Sequence, residues 1–124
     1  MKESSNITIL YVDDEEINLL LFGRSFSKKH NVLSAGSGRE GLEILGRNEN
    51  IDVVISDMRM TDMSGIEFIK LAKQEYPEKI YFILTGFVFG EEIESALKNK
   101  LIANSFSKPF NQDQIEGAIY DALH

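Results

Sequence analysis

Five short apolar runs alternate along the chain with stretches in which apolar residues recur every three to four positions. The runs are rich in β-branched and aromatic residues, which is typical of strands, whereas the intervening spacing is typical of amphipathic helices. Parallel strands need connections of helix length, so the alternation predicts an α/β fold with a doubly wound parallel sheet and helices on both faces. The predicted strands are Ile7–Val12, Asn31–Ala35, Asp52–Ser56, Ile80–Thr85 and Ile102–Ser107.

The composition of the five runs predicts their order in the sheet. The first, third and fourth runs are nearly continuous apolar sequences, as expected for central strands covered on both faces. The second and fifth carry serine or asparagine in their interiors, which favours the edges. With right-handed crossovers, the order 2-1-3-4-5 of flavodoxin-like folds satisfies these conditions. Three residue pairs with capping-box spacing indicate helix starts: Ser37 with Glu40, Ser64 with Glu67, and Asn111 with Gln114.

The size and charge of the chain limit its architecture and its partners. A length of 124 residues suffices for one core, so we expect residues 1–124 to form a single domain. The formal net charge of −7 opposes binding to nucleic acid or to a membrane surface. The absence of cysteine excludes disulfides and thiolate chemistry. The N-terminal apolar run is too short for a signal peptide or a membrane span, and we expect a cytoplasmic protein.

Five polar side chains lie at the carboxyl edge of the predicted sheet. In the order 2-1-3-4-5 the direction of sheet growth reverses between the first and third strands, which leaves a crevice at their carboxyl ends. The groups at this edge are Asp13, Asp14, Asp57, Thr85 and Lys108. Their joint occurrence at one edge predicts a functional site.

Most of these groups also have a structural explanation when taken alone. The first pair of acids could cap the first helix, since Asp13 and Glu16 have capping-box spacing. Thr85 could be an ordinary strand threonine and Lys108 a solvated turn residue. Asp57 has no such explanation, because the next helix begins several residues later with its own cap.

Three carboxylates cannot share one edge without a counter-charge. Two carboxylates about 4 Å apart repel each other by roughly 4 kcal/mol at an effective dielectric constant of 20, and one lysine does not balance three anions. Mg²⁺ suits an all-oxygen site and prefers to share a phosphate. A carboxylate beside the ion can attack phosphorus and form an acyl phosphate, which makes Asp57 the candidate nucleophile. Lys108, Thr85 and the backbone N–H of Gly86 would then hold phosphoryl oxygens.

Four segments of the chain resemble the receiver domain of two-component response regulators. They are ILYVDDEEINLL, VVISDMRMTDMSGIEF, FILTG and SKPF, and they occur in the order of that family from about Thr8 to the last helix. The resemblance implies that Asp57 accepts a phosphoryl group from a phosphohistidine on a sensor histidine kinase or a histidine phosphotransfer protein. It also implies a signalling switch rather than a turnover enzyme, with output through the face around strands 4 and 5 and helix 4.

The resemblance further implies roles for individual residues. The implied ligands of Mg²⁺ are Asp14 directly, Asp13 through water, Asp57, and the backbone carbonyl of Arg59. The implied contacts of the phosphoryl group are Lys108, Thr85 and the backbone N–H groups of Met58 and Gly86. The peptide bond between Lys108 and Pro109 would be cis, which costs only about 0.5–1 kcal/mol before proline. Further partners would be a second copy of the chain or a downstream protein.

One part of the family pattern is different in this chain. In the family, an aromatic residue three positions before the lysine turns inward when the hydroxyl of the fourth strand moves toward the phosphoryl group. This chain has Ser105 there, and Phe106 should point to the opposite face because side chains alternate along a strand. Either the loop of residues 86–90 moves instead, or the output differs from that of the family. Arg59 and Phe87 occupy positions whose side chains, in the family, change the rate at which water removes the phosphoryl group. Arg59 could also simply pair with a surface acid.

Two other functions fit part of the sequence. A phosphatase of the haloacid-dehalogenase type would carry its nucleophile in an Asp-x-Asp motif after the first strand, where this chain has Asp13-Asp14-Glu15. A degenerate receiver that only binds partner proteins is compatible with Ser105. The chain has no GxxxxGK loop for nucleotide phosphates, so the phosphoryl group must come from another molecule.

Overall fold

A computed structural model describes residues 7–86 and 90–124. Strands and helices alternate five times in this part of the chain, as the apolar pattern predicted. In chain order they are β1 (Thr8–Val12), α1 (Glu16–Phe26), β2 (Asn31–Ala35), α2 (Gly38–Arg47), β3 (Val53–Asp57), α3 (Gly65–Glu75), β4 (Ile80–Thr85), α4 (Glu91–Lys98), β5 (Asn104–Ser107) and α5 (Gln112–Leu123).

The strands form one parallel sheet in the order β2-β1-β3-β4-β5. The predicted order is therefore confirmed, with the apolar runs β1, β3 and β4 in the centre and the more polar runs at the edges. Every residue of β3 is buried, whereas β2 and β5 both expose residues. Side chains alternate along each strand, so the sheet contributes to a separate apolar core on each face.

The two cores are built from different helices. On one face, side chains of β1, β3 and β4 pack with those of α2, α3 and α4. On the other face they pack with α1 and α5, where Tyr11, Phe22 and Phe26 form a continuous stack with ring centroids 4.2 Å apart at each step. Both Phe22 and Phe26 are fully buried, so the face of α1 that carries these two rings belongs to the core. Ile17, Leu20 and Leu21 lie exposed on the same helix.

The predicted helix starts are also observed. Ser64 and Glu67 form a complete capping box, with both hydrogen bonds 3.1 Å long. Ser37 and Asn111 accept hydrogen bonds from the backbone N–H groups three residues later. The alternative that an aspartate caps α1 is wrong, because the N-cap residue is Glu15 and no side-chain hydrogen bond caps the N-terminus of this helix.

The boundaries of three strands differ from those predicted. β1 begins one residue later, and β3 is shifted by one residue so that Asp57 is its last member. β5 begins at Asn104 rather than at Ile102. The reason is that α4 ends in a tight turn in which Lys100 has a positive φ of 61° and the N–H groups of Leu101 and Ile102 both point back to Ala96. These two residues complete the helix end and are not available to the sheet.

Gly65 allows α3 to begin directly against the end of β3. A β-carbon at this position would overlap the backbone carbonyl oxygen of Asp57 and lie 2.9 Å from Cδ1 of Ile83. Backbone atoms of a central strand cannot move aside as a flexible side chain can. Glycine is therefore required here by close approach rather than by an unusual backbone angle.

We predict that Gly65→Ala lowers the free energy of unfolding by about 1–3 kcal/mol, because the new methyl group overpacks the junction of β3 and α3. Gly117→Ala is the matched control, since a β-carbon there meets no atom within 4 Å in the middle of α5. This control should stabilise the protein by about 0.5–1 kcal/mol through helix propensity. Urea unfolding of both variants measures the difference, and equal stabilities would contradict the prediction.

Candidate functional site

Three aspartates converge at the carboxyl edge of the sheet. Asp13 and Asp14 follow β1, and Asp57 ends the neighbouring strand β3. One carboxylate oxygen from each lies within 4.8 Å of the others. Asp13 and Asp57 are buried, with 0% and 6% of their surface exposed, whereas Asp14 is exposed. The structure thus brings together the three acids that the sequence placed at this edge.

Lys108, the residue directly after β5, reaches into the cluster. Its Nζ lies 3.1 Å from Oδ1 of Asp57 and 3.2 Å from Oδ2 of Asp13. The backbone of this lysine is fixed at the sheet, because its N–H donates to the carbonyl oxygen of Thr85 at 2.8 Å. The Lys108–Pro109 peptide bond is cis. One ammonium group therefore bridges two of the three carboxylates.

The carboxylate of Asp13 is held by four protein donors. Its Oδ2 accepts hydrogen bonds from the Tyr11 hydroxyl at 2.7 Å, from the Asn18 amide at 3.1 Å and from Lys108. Its Oδ1 accepts from the backbone N–H of Glu15 at 3.0 Å. A carboxylate offers about four acceptor positions, so little of its capacity remains for a directly bound ion. This saturation fits contact with an ion through water.

Asp57 and Asp14 each keep one oxygen open. Asp57 accepts from the Met58 N–H at 2.9 Å and from Lys108, both on Oδ1. Asp14 accepts two hydrogen bonds from Thr61, both on Oδ2. Among residues 7–86 and 90–124, no hydrogen bond ends on Oδ2 of Asp57 or on Oδ1 of Asp14. Both open oxygens are on residues of the cluster of three acids.

The other predicted site residues surround this cluster. Thr85 is buried at the end of β4, and Gly86 is exposed beyond it, where a β-carbon would meet nothing within 4 Å. Thr85, Met58 and Arg59 line a cavity of about 850 Å³ between the β3–α3 loop and the start of α4. Phe87 lies outside the described residues, as does the middle of the loop of residues 86–90.

Ser105 and Phe106 point to opposite faces, as the alternation predicted. Ser105 is half-buried and pairs in register with Ile83, whose side chain belongs to the core beneath α2, α3 and α4. Phe106 is buried in the core beneath α1 and α5, with its ring centroid 5.3 Å from that of Phe82. The aromatic ring next to Ser105 is therefore committed to the interior and cannot replace the missing surface ring.

Burial and the neighbouring charges shift the pKa values of the site. Burial raises the pKa of Asp57, and the charge of Asp13 adds to this, whereas the hydrogen bond from Lys108 lowers it; the net shift is upward. Burial lowers the pKa of Lys108, but the hydrogen bond and charge of Asp57 and the charge of Asp13 outweigh it and raise the pKa. Burial and the bond to Asp13 raise the pKa of Tyr11, so the phenol stays a neutral donor.

The sequence did not single out Tyr11, Asn18 or Thr61. A signal existed for Tyr11, because it lies two residues before Asp13 and side chains two apart on a strand share a face. A phenol in an otherwise apolar buried strand also needs a partner. Asn18 and Thr61 had no comparable signal, since their contacts depend on how α1 and the β3–α3 loop fold over the crevice.

The fold and the site match one known family. Residues 9–120 match the response regulator receiver domain, and the chain belongs to this family. Receiver domains bind Mg²⁺ at an acidic pocket, and they interact with sensor kinases or phosphotransfer proteins in two-component systems. The acidic cluster fits such an ion because its ligands are hard oxygen donors with two open positions and an uncompensated charge.

Individual relatives agree with this assignment. The transcriptional regulatory protein GlrR of Escherichia coli K12 is 35% identical over 116 residues, which cover 93% of this chain and 26% of GlrR. A response regulator receiver domain from Clostridium thermocellum superposes with a TM-score of 0.88 at 32% identity, covering 94% of each chain. The chemotaxis protein CheY4 of Vibrio cholerae has a TM-score of 0.79 at 26% identity, covering 94% of this chain and 95% of CheY4. The chain spans between about a quarter and less than half of the length of curated relatives that it matches, from 24% to 44%.

We predict that Asp57→Asn raises the stability of the protein at pH 7 when divalent ions are removed by EDTA. A raised folded-state pKa means that the folded state holds its proton at a higher pH than the unfolded state, whose aspartates titrate near about 3.9. Stability therefore falls as pH rises from about 3.9 through the folded pKa, and the ionised Asp57 is destabilising at pH 7. Thermal unfolding at pH 7 and at lower pH measures the difference between variant and wild type, which should shrink toward acid pH.

The control for this prediction is Glu43→Gln, which removes an exposed carboxylate from the middle of α2. It should change the free energy of unfolding by less than about 0.5 kcal/mol at either pH. A destabilised Asp57→Asn variant at pH 7 would show that the pairing with Lys108 outweighs the burial of the charge.

Proposed function

We propose that this chain is a phosphoacceptor switch in which Asp57 receives a phosphoryl group from a phosphohistidine. The donor is a sensor histidine kinase or a histidine phosphotransfer protein, and the transfer depends on Mg²⁺. The single observation that carries this proposal is the state of Asp57, which is buried at the crevice with one oxygen bound by Met58 and Lys108 and the other open. A cytoplasmic site of action belongs to the same proposal.

The open oxygen, Oδ2, is the nucleophile. It forms a bond to phosphorus while the phosphorus–nitrogen bond to the donor imidazole breaks, and that electron pair returns to the imidazole nitrogen. The product is an acyl phosphate on Asp57 and a free histidine. Oδ1 is held by two donors during the attack, so the carboxylate is oriented before the donor arrives.

Lys108 has two roles in this step. Before transfer its ammonium group offsets the repulsion between Asp57 and Asp13. During transfer it stays bound to Oδ1, next to the attacking Oδ2, and stabilises the charge on the equatorial oxygens. The backbone N–H of Gly86 and the hydroxyl of Thr85 supply further donors from the neighbouring strand.

The ion would be held by Asp14, by Asp57, by the carbonyl of Arg59, and by Asp13 through water. When bound, Mg²⁺ neutralises the charge that three carboxylates and a phosphoryl group bring to one crevice. The four donors on Asp13 and the open oxygen of Asp14 support this division of ligands. The chain catalyses its own phosphorylation and dephosphorylation and is not a turnover enzyme.

Output is expected through the face formed by β4, β5 and α4, toward a downstream protein or a second copy of the chain. Ser105 removes the aromatic ring that turns inward in the family, and Phe106 cannot substitute because it is packed against Phe82. We therefore propose that movement of Thr85 is passed to the start of α4 rather than to a ring on β5. The cavity that Thr85 shares with Gly90 and Glu91 supports this route.

The decisive experiment is incubation with Mg²⁺ and acetyl phosphate, followed by intact-mass spectrometry. We predict an acid-stable but base-labile phosphoryl adduct that Asp57→Ala abolishes and that Asp121→Ala, an exposed aspartate on α5, retains. Continued release of phosphate from simple phosphate esters would support the phosphatase instead. An inert wild-type protein would support a binding module without phosphotransfer.

We further propose that Arg59 restricts the access of water to the phosphoryl group. Its side chain is exposed and forms part of the wall of the cavity of about 850 Å³ beside the acceptor. Truncation to alanine should widen this access and shorten the lifetime of phosphorylated Asp57 several-fold, while phosphorylation still occurs. Arg47→Ala is the control, because it removes an exposed arginine at the far end of α2. Equal decay half-lives of Arg59→Ala and wild type would contradict the proposal.

A further inference from the structure

The β3–α3 loop holds Asp14 with two hydrogen bonds from one residue. The backbone N–H of Thr61 donates to Oδ2 of Asp14 at 2.9 Å, and the Thr61 hydroxyl donates to the same oxygen at 2.6 Å. The two residues are 47 positions apart in the chain. Both donors thus act on a single oxygen of a side chain that is otherwise exposed.

This clamp leaves the second oxygen of Asp14 for another ligand. A carboxylate oxygen has two lone pairs, so two donors on Oδ2 occupy that oxygen. Thr61 then fixes the orientation of the carboxylate through Oδ2. No described residue donates a hydrogen bond to the other oxygen, Oδ1. An exposed aspartate without such a clamp would have to be ordered by the ion itself, which would weaken binding.

Asp62, the residue after Thr61, attaches the loop to the start of α2. Asp62 accepts the backbone N–H of Gly38 at 3.1 Å on one oxygen and that of Arg39 at 2.9 Å on the other. These N–H groups begin α2, where unpaired donors and the helix dipole favour a carboxylate. Burial would raise the pKa of Asp62, but backbone N–H groups, with those of Arg39 and Gly38 contributing most, outweigh it and lower the pKa. At the other end of the loop, the N–H of Gly65 donates to the carbonyl of Met58 at 2.8 Å.

We propose that Thr61 is a positioning residue for Asp14 as a ligand of Mg²⁺, and that Asp62 holds Thr61 in position by docking on the start of α2. The proposal rests on the Mg²⁺-dependent function proposed above and adds two residues to it. Thr61 does not touch the ion. It acts by ordering the carboxylate before the ion binds, in the manner of groups that orient metal ligands elsewhere.

The test compares Thr61→Ala with Thr61→Ser in the full chain. Alanine removes the hydroxyl and keeps the backbone N–H, whereas serine restores the hydroxyl. We expect the dissociation constant for Mg²⁺, measured by NMR titration of backbone amides, to rise about three- to tenfold in Thr61→Ala. Thr61→Ser should return to within about twofold of the wild type. The Mg²⁺ concentration that gives half-maximal phosphorylation by acetyl phosphate should shift in parallel.

A second pair of variants tests the anchor of the loop. Asp62→Asn weakens the docking of the loop on α2 without touching Asp14, and it should also raise the dissociation constant for Mg²⁺. Ser37→Ala is the matched control, because it removes the side-chain cap of the same helix end and leaves the loop contacts in place. This control should lower the thermal stability and leave Mg²⁺ binding unchanged.

The outcomes separate this proposal from the function on which it rests. If the wild type binds Mg²⁺ and forms the adduct while Thr61→Ala binds the ion as tightly or more tightly, the positioning role is overturned and the switch stands. If the wild type binds no Mg²⁺ and forms no adduct, both proposals are overturned. If Thr61→Ser fails to restore the affinity lost in Thr61→Ala, the hydroxyl is not the positioning group.

Discussion

The arrangement of this protein depends on placing three carboxylates at one edge of a sheet with a single lysine between them. At an effective dielectric constant of 20, two unit charges about 4 Å apart attract or repel each other by roughly 4 kcal/mol. One lysine therefore offsets only part of the repulsion among three carboxylates. Hydrogen bonds to Asp13 and Asp57 supply more of the compensation. What remains is an excess of negative charge directed into the crevice. Such a site suits a divalent cation, and this charge excess is the basis of the function proposed above.

The two apolar cores keep this unfavourable cluster in place. On one face, the stacked rings of Tyr11, Phe22 and Phe26 fill the space between β1 and α1, and the phenol at the end of the stack points its hydroxyl at Asp13. On the other, Gly65 lets α3 begin in contact with the backbone of Asp57. The reactive edge is therefore connected to the interior through buried side chains rather than through mobile surface residues. A carboxylate that is destabilised by its neighbours can persist only on a scaffold of this kind.

The fifth strand distinguishes this receiver domain within its family. The sequence already indicated that Ser105 replaces the aromatic residue of the usual switch. The structure adds that Phe106 packs on Phe82 in the opposite core, so the described strand β5 offers no ring to turn inward beside α4. If output leaves through this face, as proposed above, we expect the loop of residues 86–90 or α4 to carry it rather than a ring on β5. This constraint follows from the two-residue period of a strand and holds for any downstream partner.

The sequence alone determined the order of the sheet, the starts of α2, α3 and α5, and the place where the polar groups meet. These features depend on residues close together in the chain: apolar runs, capping pairs, and acids that end a strand. Even there, the start of β5 was placed two residues too early, because the turn after α4 uses Leu101 and Ile102 to complete the helix. The resemblance to the family then implied a chemical role for each of these polar groups, because the family motifs occur at the same strand ends.

Only the tertiary structure decided which donor holds which oxygen. Tyr11 and Asn18 donate to Oδ2 of Asp13, whereas Thr61 donates twice to Oδ2 of Asp14 from 47 positions away in the chain. The physical reason is that a hydrogen bond depends on the positions of two side chains to within a fraction of an ångström. Those positions are set by the packing of α1 and of the β3–α3 loop over the sheet, and no local pattern in the sequence specifies that packing.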